Sequence, residues 1–572
     1  MKKKWRIQTP DSQSVRQLCE ALKCHPITAS VLCNRNLADV SAAHAFINTS
    51  IKDLRPPFAV KDMGRAVKRI HTALVQKEKI LIFGDYDVDG ITATVLFFEF
   101  LKAAGARVDY YVPHRVTEGY GLRESHIRDH VEPNRYDLLI TVDCGIASHE
   151  AVCAANKAHI DVIITDHHQV PETLPEALAV INPKRADCNA GFAPLAGVGV
   201  VYLVLICLRK YLRDQGFWAG NTEPNLKTAC DLVALGTVAD IVPLILENRI
   251  LTQIGIDALN SGQRPGIMAL LEAAGVNGPL AGGEDISFRL APRINAAGRI
   301  GHANSAIELL MTRDADKAAH LADTLNKLNT ERRSIENAML KQILERLMTY
   351  PDLNRKPALI LSDPNWHEGV LGIVAAKLVD RYYRPVILIS TRNGAGKGSA
   401  RSIPGFNLHD GLLKAAGCLE SFGGHAAAAG LSIKKENIAR FTSQFENIVK
   451  ENTRPEAFIP VVTIDQEITF DQISPLLADE LERLQPFGEG NPEPLFSARN
   501  IRIAYSQMMG GVHRRMRLTQ PGTQSSQALH AIQFNVAPAP SASEHLDQIA
   551  FRLRWNRWNG KKTLQLLIEE TQ

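Results

Sequence analysis

The sequence predicts an α/β protein that combines parallel-sheet domains, a long connecting helix and a small C-terminal β-barrel. Segments with strand and helix character alternate from Ile80 to Thr165, which is typical of a parallel sheet covered by helices. Residues 314–349 form a long amphipathic stretch without proline or glycine, which predicts one helix between two lobes. After residue 452, short alternating strands separated by loops of proline, glycine and serine predict a barrel.

The length of 572 residues exceeds what one hydrophobic core holds, so we expect several domains. The predicted parts are an N-terminal layer plus the parallel-sheet domain (1–313), the connecting helix (314–349), a second α/β domain (350–452) and the barrel (453–572). Within the first part, the helix-like residues 11–78 are expected to cover the sheet.

The composition predicts a soluble cytoplasmic protein. Charged residues make up 22% of the chain and the formal net charge is +4, so nucleic-acid affinity has to come from local patches. The nine cysteines include no Cys-x-x-Cys pair, which predicts reduced thiols. The basic start from Met1 to Arg6 lacks the apolar segment of an export signal. The uncharged run from Gly191 to Leu208 contains Pro194, which favours a buried helix over 195–212 rather than a membrane span.

A run of three acids follows the first predicted strand. Ile80 to Phe83 are apolar, and Asp85, Asp87 and Asp89 come after them at every second position. If this loop is extended, the three carboxylates lie on one side, where their repulsion requires cations. A calcium-binding EF-hand loop has the same spacing, but it needs a preceding helix and a glutamate at its twelfth position, which is Leu96 here.

The ends of other predicted strands also carry acids and imidazoles. Strand 137–142 leads into Asp143, strand 161–165 leads into Asp166-His167-His168, and Asp240 lies inside an apolar helix predicted for 231–242. Because parallel strands end at one edge of a sheet, these side chains are expected to converge there. Each alone has a simpler explanation, since an aspartate at a strand end is commonly a helix cap. Their joint placement is what predicts a site.

This set of five carboxylates and two imidazoles suits two divalent ions about 3.5 to 4 Å apart, as in phosphoryl hydrolases. Mixed oxygen and nitrogen ligands favour Mn²⁺ over Mg²⁺, which prefers oxygen alone. Zn²⁺ remains an alternative metal because Cys144, a possible zinc ligand, adjoins Asp143. We therefore expect two divalent cations, Mn²⁺ or Mg²⁺, as cofactors.

Two glycine-rich segments of the second α/β region are candidates for phosphate binding through backbone N–H groups. One runs from Gly394 to Ser402, and it is not a Walker loop because Gly398 follows Lys397 where serine or threonine is required. The other is the turn Phe422-Gly-Gly-His425.

The predicted barrel is basic. Residues 499–562 contain ten Lys or Arg against two acids, with five interleaved aromatics: Tyr505, Phe534, Phe551, Trp555 and Trp558. Basic and aromatic side chains together favour single-stranded nucleic acid. The alternative is a solvated barrel whose aromatics fill its core.

These motifs resemble a known superfamily. Asp-Tyr-Asp-Val-Asp-Gly90, Val-Asp-Cys-Gly145, Asp166-His167-His168 and Gly-Thr-Val-Ala-Asp240 resemble the four motifs of the DHH phosphoesterases, and Gly423-Gly424-His425 resembles the signature of the DHHA1 domain. Their order, the N-terminal layer and an OB-like barrel preceded by Leu484 to Pro492 are similar to the bacterial members that degrade single-stranded DNA. The resemblance implies a single-stranded-DNA-specific 5′-to-3′ exonuclease of DNA repair and recombination that releases 5′-mononucleotides.

The resemblance also assigns roles by position. One ion would be bound by Asp87 and Asp143, with Asp85 as a further candidate, and the other by Asp89, Asp143, His167 and Asp240. His168 would contact a non-bridging phosphate oxygen, and Asp166 would orient an imidazole.

For DNA, the resemblance implies 5′-end recognition by Arg115, Ser399, Arg401 and the turn Gly423-Gly424-His425. Arg293 and Arg299 would contact the strand, with bracing of a loop as the alternative. A groove between the two lobes would enforce single-strand selectivity. Single-strand-binding protein and a helicase are partners implied by the resemblance alone, and we expect a monomer without membrane association.

Two other functions fit part of the sequence. A DHH phosphodiesterase for small nucleotides or short RNA would resemble the first two lobes only, without the basic and aromatic barrel. A metal-free replication scaffold on a degenerate DHH fold would not need to retain seven ligand-type residues.

Overall fold

The computed structural model describes residues 3–220, 222–276, 278, 280, 282–522, 528–536, 545–558 and 560–571. It contains an N-terminal segment, two α/β domains joined by a long helix, and a C-terminal barrel. All strands, and the helices of at least seven residues, are numbered in chain order. The N-terminal segment consists of β1 (Lys4–Ile7), α1 (Ser12–Leu22), α2 (Pro26–Asn34) and α3 (Val40–Ile47).

The first α/β domain contains a five-stranded parallel sheet with the order β3-β2-β4-β5-β6. Its elements are α4 (Met63–Gln76), β2 (Lys79–Gly84), α5 (Val88–Ala103), β3 (Arg107–Tyr111), β4 (Leu138–Val142), α6 (His149–Lys157), β5 (Asp161–Thr165), β6 (Ala179–Ile181), α7 (Gly197–Asp214), α8 (Cys230–Ala239), α9 (Leu246–Asn260), α10 (Pro265–Ala273), α11 (Ala291–Ile300) and α12 (Asn304–Met311). Ile80 and Ile82 pack on one face of the sheet, and Leu81 and Phe83 pack on the other. Both faces are thus covered, which explains the continuous apolar strands and confirms the predicted parallel sheet.

The helix α13 (Ala315–Thr349) connects the two α/β domains and confirms the predicted connecting helix. The second domain contains β7 (Leu359–Asp363), α14 (Leu371–Tyr382), β8 (Val386–Ser390), β9 (Ala395–Arg401), α15 (Leu408–Lys414), β10 (Ser421–Gly424), β11 (Ala428–Lys434) and α16 (Ile438–Asn452). Its mixed sheet has the order β10-β11-β9-β8-β7.

Within the glycine-rich segment from Gly394 to Ser402, residues Ala395–Arg401 form strand β9, so the expectation of a phosphate-binding loop there is wrong. Its backbone pairs with β8 and β11 and is therefore already hydrogen-bonded. A Cβ at Gly398 would lie 2.8 Å from the Leu431 side chain. Glycine is needed here because side chains of the sheet pack closely over the strand.

The C-terminal region contains β12 (Val461–Ile464), β13 (Gln466–Glu467), α17 (Pro475–Glu482), β14 (Phe496–Met509), β15 (His513–Thr519), β16 (Leu529–Gln533), β17 (His545–Trp558) and β18 (Lys561–Thr571). The last five strands have the order β14-β15-β16-β18-β17, and pairing of β14 with β17 closes them into a barrel. The predicted barrel is therefore confirmed.

The aromatics of the barrel differ in their surroundings. Phe551 fills the core, and Trp555 is half-buried and donates a hydrogen bond to Asp479. Tyr505 and Phe534 are about half exposed. The side chain of Trp558 lies outside the described part of the chain.

Helices α1 to α3 pack against the barrel. Leu18, Ile27 and Leu32 share a hydrophobic core with Phe496 and Phe551, and β1 pairs in parallel with β12. The expectation that residues 11–78 cover the sheet is therefore wrong for these helices, whereas α4 packs into the core of the first domain. Helical spacing shows that a helix has an apolar face, but it does not show which core that face joins.

The uncharged run ends within α7, most of which is buried in the first domain. Among the helices that the structure describes, we find none with the length and hydropathy needed to span a bilayer.

Candidate metal centre and nucleic-acid cleft

The acids after β2 do not form one row. Asp87 caps α5, and Asp89 lies in the first turn of that helix. Asp89 accepts hydrogen bonds from Gly197 N at 2.6 Å and Val198 N at 2.9 Å, at the start of α7. The expected extended row is therefore wrong. Because α5 begins directly after Asp87, Asp89 joins a different group of side chains from Asp85 and Asp87.

Asp143 lies directly after β4 in a left-handed conformation with φ of 59°. Its Oδ1 is 3.2 Å from His167 Nε2. A Cβ added to Gly197 would lie 2.4 Å from the same Oδ1. Glycine at the start of α7 therefore allows that helix to approach the acid closely, which no larger residue would permit without a shift.

One imidazole nitrogen lies among three carboxylates. His167 Nε2 is 3.2 Å from Asp143 Oδ1, 3.5 Å from Asp240 Oδ2 and 3.8 Å from Asp89 Oδ2. Possible ligand atoms form three groups, each within 4.8 Å: Asp85, Asp87 and Asp143; Asp89, His167 and Asp240; and Asp143, His167 and His168. The six residues predicted as metal ligands thus lie together, and Asp143 and His167 each belong to two groups.

Asp166 is buried and organises both histidines. Its Oδ1 accepts hydrogen bonds from His167 N and His168 N and lies 2.7 Å from His168 Nδ1. Burial opposes the charge, but hydrogen bonds from His168 hold the pKa of Asp166 below its usual value. Burial likewise opposes charge on His168, yet its bond to Asp166 raises the pKa of His168 to about 9. His168 is therefore a cation at neutral pH.

The carboxylates nearby are crowded and desolvated. Burial, with repulsion from neighbouring acids, raises the pKa of Asp85 and Asp143, that of Asp89 to about 7 and that of Asp240 to about 9. Burial lowers the pKa of His167 to about 3, so its imidazole is neutral. Asp85 Oδ1, Asp143 Oδ1 and His167 Nε2 are buried without a hydrogen-bond partner among the described residues. Unpaired oxygen and nitrogen atoms so placed fit divalent cations.

Four arginines lie close together beside these acids. Burial lowers the pKa of Arg299 to about 9, and the positive charges of Arg115, Arg332 and Arg401 add to this effect. Burial and the charge of Arg115 also lower the pKa of Arg401. Such mutual repulsion favours a bound anion.

The second domain faces the first through β9 and β10. Ser399 and Arg401 lie on one face of β9, and Arg401 Nη1 is 3.4 Å from Ser399 Oγ. A Cβ added to Gly372 would lie 2.8 Å from Arg401 Nη2, so these side chains lie at the N-terminus of α14. Gly423 and Gly424 end strand β10 and pair with β11, and the ring of the following His425 lies parallel to that of His168 with centroids 6.4 Å apart. The predicted 5′-end residues therefore face the metal-site residues across the two domains.

A cleft of about 660 Å³ lies between the first domain, the second domain and the barrel. Arg299 of α11, Arg332 of α13 and Arg552 of β17 line it, together with the exposed apolar side chains Ile241 and Phe288. The groove expected between two lobes is thus also bounded by the barrel.

Arg293 has partners of its own. Its Nε donates to Asn326 Oδ1 at 3.0 Å and its Nη1 to Arg289 O at 2.6 Å, which ties α11 to α13 and favours the bracing role over contact with DNA.

Sequence reasoning missed two residues of the site. Arg332 interrupts the apolar stripe of its helix, and a charged residue at such a position indicates a possible functional role. Tyr120 lies in a loop whose sequence contains no comparable feature.

Comparison with known proteins identifies the family. The chain is 36% identical to "Single-stranded-DNA-specific exonuclease RecJ" of Bacillus subtilis (strain 168), covering 100% of this chain and 71% of that protein. It is also 36% identical to the protein of the same name from Escherichia coli (strain K12), covering 91% and 92% of the two chains. The chain belongs to the RecJ family.

Further matches place RecJ-family parts along the chain. Family models match for the DHH family N-terminal domain over residues 79–237, the DHHA1 domain over 355–451 and the RecJ OB domain over 464–570. The crystal structure of RecJ in complex with Mn²⁺ from Thermus thermophilus matches with a TM-score of 0.84 at 30% identity, covering 100% of this chain and 79% of that one. Its complex with Mg²⁺ matches with a TM-score of 0.78 at 28% identity, covering 100% and 78%.

Proposed function

We propose that this RecJ-family chain is a single-stranded-DNA-specific 5′-to-3′ exonuclease that releases 5′-mononucleotides with two divalent ions, Mn²⁺ or Mg²⁺, in DNA repair and recombination. The observation that supports this most is the placement of a crowded acidic cluster beside four guanidinium groups. The acids favour cations and the guanidiniums favour phosphate, and a DNA strand with bound ions satisfies both.

Two groups of side chains would hold the ions. We assign one ion to Asp85, Asp87 and Asp143, and the other to Asp89, His167 and Asp240 with Asp143 shared. When bound, the ions would neutralise the phosphodiester and favour in-line attack by water. The chain's own contribution is placement, since the first backbone N–H groups of α7 hold Asp89 toward His167.

His168 would bind the phosphate directly. Its Nδ1 is taken by Asp166, which leaves Nε2 as the donor for a non-bridging oxygen. Because Asp166 keeps His168 charged, this hydrogen bond is strengthened as negative charge develops on the phosphate. The neutral imidazole of His167 is suited to act as a metal ligand instead.

Recognition of the 5′ end is assigned to the second domain and one loop of the first. Arg401 and Ser399 lie at the N-terminus of α14, and Arg115 lies close to Arg401. A terminal phosphate there would accept hydrogen bonds from both guanidiniums and would interact favourably with the helix end. The turn Gly423-Gly424-His425 would close this pocket beside His168.

Most cations of β17 are already paired. Arg552 forms ion pairs with Glu493 and Glu569, Arg554 with Glu284 and Glu493, and Arg557 with Glu482. These arginines brace the barrel or join it to the first domain. The number of Lys and Arg residues in the barrel sequence therefore overstates the positive charge available to DNA.

Strand β15 carries cations that face solvent. Met516 and Leu518 lie in the core, so the alternating residues Arg515 and Arg517 face outward. Tyr505 lies directly opposite Arg517 on β14 and is 48% exposed. Neither arginine has an ion pair within the described ranges. We propose that this face holds single-stranded DNA, since OB-folds bind oligonucleotides on their second and third strands.

The proposed setting is the cytoplasm, with single-stranded DNA as the ligand. All nine cysteines are free thiols, which supports a reducing compartment. Single-strand-binding protein and a helicase are proposed as further partners on the family resemblance alone.

The deciding experiment is Mn²⁺-dependent digestion of 5′-labelled single strand, duplex, RNA and dinucleotide. We expect mononucleotides from single-stranded DNA, and a loss on the order of 1,000-fold for Asp143→Ala with single-strand binding largely retained. Asp129→Ala is the control, because the partner of this exposed acid among the residues that the structure describes is the adjacent Arg128. Undiminished digestion by Asp143→Ala would refute the two-ion assignment, and faster cleavage of dinucleotide than of single strand would favour a small-nucleotide phosphodiesterase.

A further inference from the structure

The loop after β3 carries two side chains into the site and depends on Glu118. Its Arg115 guanidinium lies 4.8 Å from the centre of the Tyr86 ring, and its Tyr120 Oη lies 3.2 Å from His168 Nδ1. Within the part of the chain that the structure describes, the Arg115 side chain has no ion pair or hydrogen bond. Its position therefore depends on the Tyr86 ring and on the backbone of the loop.

The carboxylate of Glu118 fixes that backbone. Its Oε1 accepts a hydrogen bond from the Tyr111 hydroxyl at 2.7 Å, and its Oε2 accepts a short one from His114 N. Glu118 N in turn donates to His114 O at 2.8 Å. These bonds close a turn over residues 114–118, with Arg115 as its second residue.

Tyr111 connects the turn to the sheet. It is the last residue of β3, and its ring stacks on Phe83 of β2 with centroids 5.7 Å apart. Burial, with the charge of Glu118, raises the pKa of Tyr111 to about 12, so its hydroxyl stays a donor. Burial opposes ionisation of Glu118, but the bonds from Tyr111 and His114 hold the pKa of Glu118 below its usual value. The acceptor is therefore a carboxylate at neutral pH.

We propose that Glu118 is a positioning residue for recognition of the 5′ end of DNA and acts through Arg115 by holding the 114–118 turn against Tyr111. This inference rests on the proposed function, in which Arg115 binds the terminal phosphate. A carboxylate suits the role because two donors converge on it and its charge strengthens both hydrogen bonds. A neutral amide keeps one oxygen for His114 N and meets the Tyr111 hydroxyl only if that hydroxyl turns to accept, so both contacts are weakened.

The test compares single-stranded oligonucleotides with a 5′-phosphate and with a 5′-hydroxyl. For Glu118→Gln we expect KM for the phosphorylated strand to rise roughly tenfold, with kcat and the hydroxyl substrate little changed. Tyr111→Phe removes one of the two hydrogen bonds to Glu118 and should cause a smaller rise in KM for the same substrate. Glu132→Gln, an exposed glutamate of the same domain, should match the wild type. An unchanged rise of Tm on adding Mn²⁺ would show that fold and metal centre are intact.

Arg115→Ala separates this inference from the function on which it rests. The double variant Glu118→Gln with Arg115→Ala should be no worse on phosphorylated ends than Arg115→Ala alone. Two results would overturn the positioning role and leave recognition by Arg115 standing. One is that Glu118→Gln lowers kcat/KM equally for strands with a 5′-phosphate and with a 5′-hydroxyl, and the other is that the losses of kcat/KM in the two single variants multiply in the double variant. If Arg115→Ala retains the full preference for 5′-phosphate, the proposed end recognition fails and Glu118 has nothing to position.

Discussion

At the scale of single residues, the acids of the metal centre bind protons readily when no metal is present. Burial and neighbouring acids raise the pKa of Asp89 to about 7 and of Asp240 to about 9, whereas both ionise near 4 in an unfolded chain. A raised folded-state pKa contributes stability that is complete below the unfolded value and is lost as pH rises through the folded one. The metal-free centre should therefore destabilise the protein increasingly between about pH 4 and 9.

Metal binding should reverse this loss. Divalent ions replace the protons, so the rise in Tm on adding Mn²⁺ should be larger at pH 8.5 than at pH 5.5. Thermal unfolding in chelator and in Mn²⁺ at the two values measures the difference. Asp143→Asn should reduce the Mn²⁺ effect at both, because one shared ligand is lost, whereas Asp129→Asn should not. An equal Mn²⁺ effect at both pH values would contradict this account.

Residues differ in how far sequence can predict them. Asp143 and Asp166 follow buried strands, and a parallel sheet brings such positions to one edge whatever the loops do. The spacing of the loop alone places Asp89 in one row with Asp85 and Asp87, but α5 begins between Asp87 and Asp89 and turns Asp89 toward His167 and Asp240, the partners that the family resemblance implied. Tyr120 enters the site through a loop held by side-chain hydrogen bonds, and no periodicity encodes those.

At the scale of elements, the barrel shows why counts of charge mislead. Alternation along a strand predicts that Arg515 and Arg517 share a face, but only the fold shows that Arg552 and Arg554 on β17 are held by glutamates. The outward face of β15 is therefore the element that should determine the salt dependence of DNA binding.

Replacing both arginines of that face by alanine should flatten the salt dependence. Each phosphate contact of single-stranded DNA contributes about 0.7 to the slope of log K against log salt, so losing two should lower the slope by about 1.4. Titration of single-stranded DNA at several salt concentrations measures it. Arg499→Ala, which removes one cation, is the control, because Arg499 pairs with Glu467 on another part of the barrel. A slope change of about 0.7 in this control, the same per cation removed, would show general electrostatics rather than a defined face.

At the scale of the whole molecule, the barrel is not a removable module. The N-terminal helices share its core, and the buried Arg249 of α9 donates to Phe46 O in the N-terminal segment and Leu484 O in the C-terminal region. Deleting residues 453–572 would expose Leu18 and Ile27 and remove two acceptors of Arg249, Arg483 O and Leu484 O. Single substitutions at the contact between barrel and first domain therefore test the barrel more cleanly than truncation.

Arg554 is the residue to substitute, because it joins the barrel to the first domain through Glu284 and Glu493, which both line the cleft. Its guanidinium bonds Glu284 of the first domain at 2.6 and 2.9 Å and also pairs with Glu493 beside the barrel. Arg554→Met would remove the cation between these two glutamates, of which Glu493 keeps its pair with Arg552, so the barrel should be held less firmly against the first domain. We expect KM for a long single strand to rise roughly threefold to tenfold, with dinucleotide hydrolysis unchanged.

Arg557→Met is the matched control, since Arg557 pairs with Glu482 inside the C-terminal region and does not bridge the domains. It removes the same charge from the same strand, so any difference between the two variants reports the bridge rather than the charge. If both variants raise KM alike, the bridge has no special role. If Arg554→Met slows dinucleotide hydrolysis as well, the contact supports the metal centre itself, and the cleft is not what the barrel contributes.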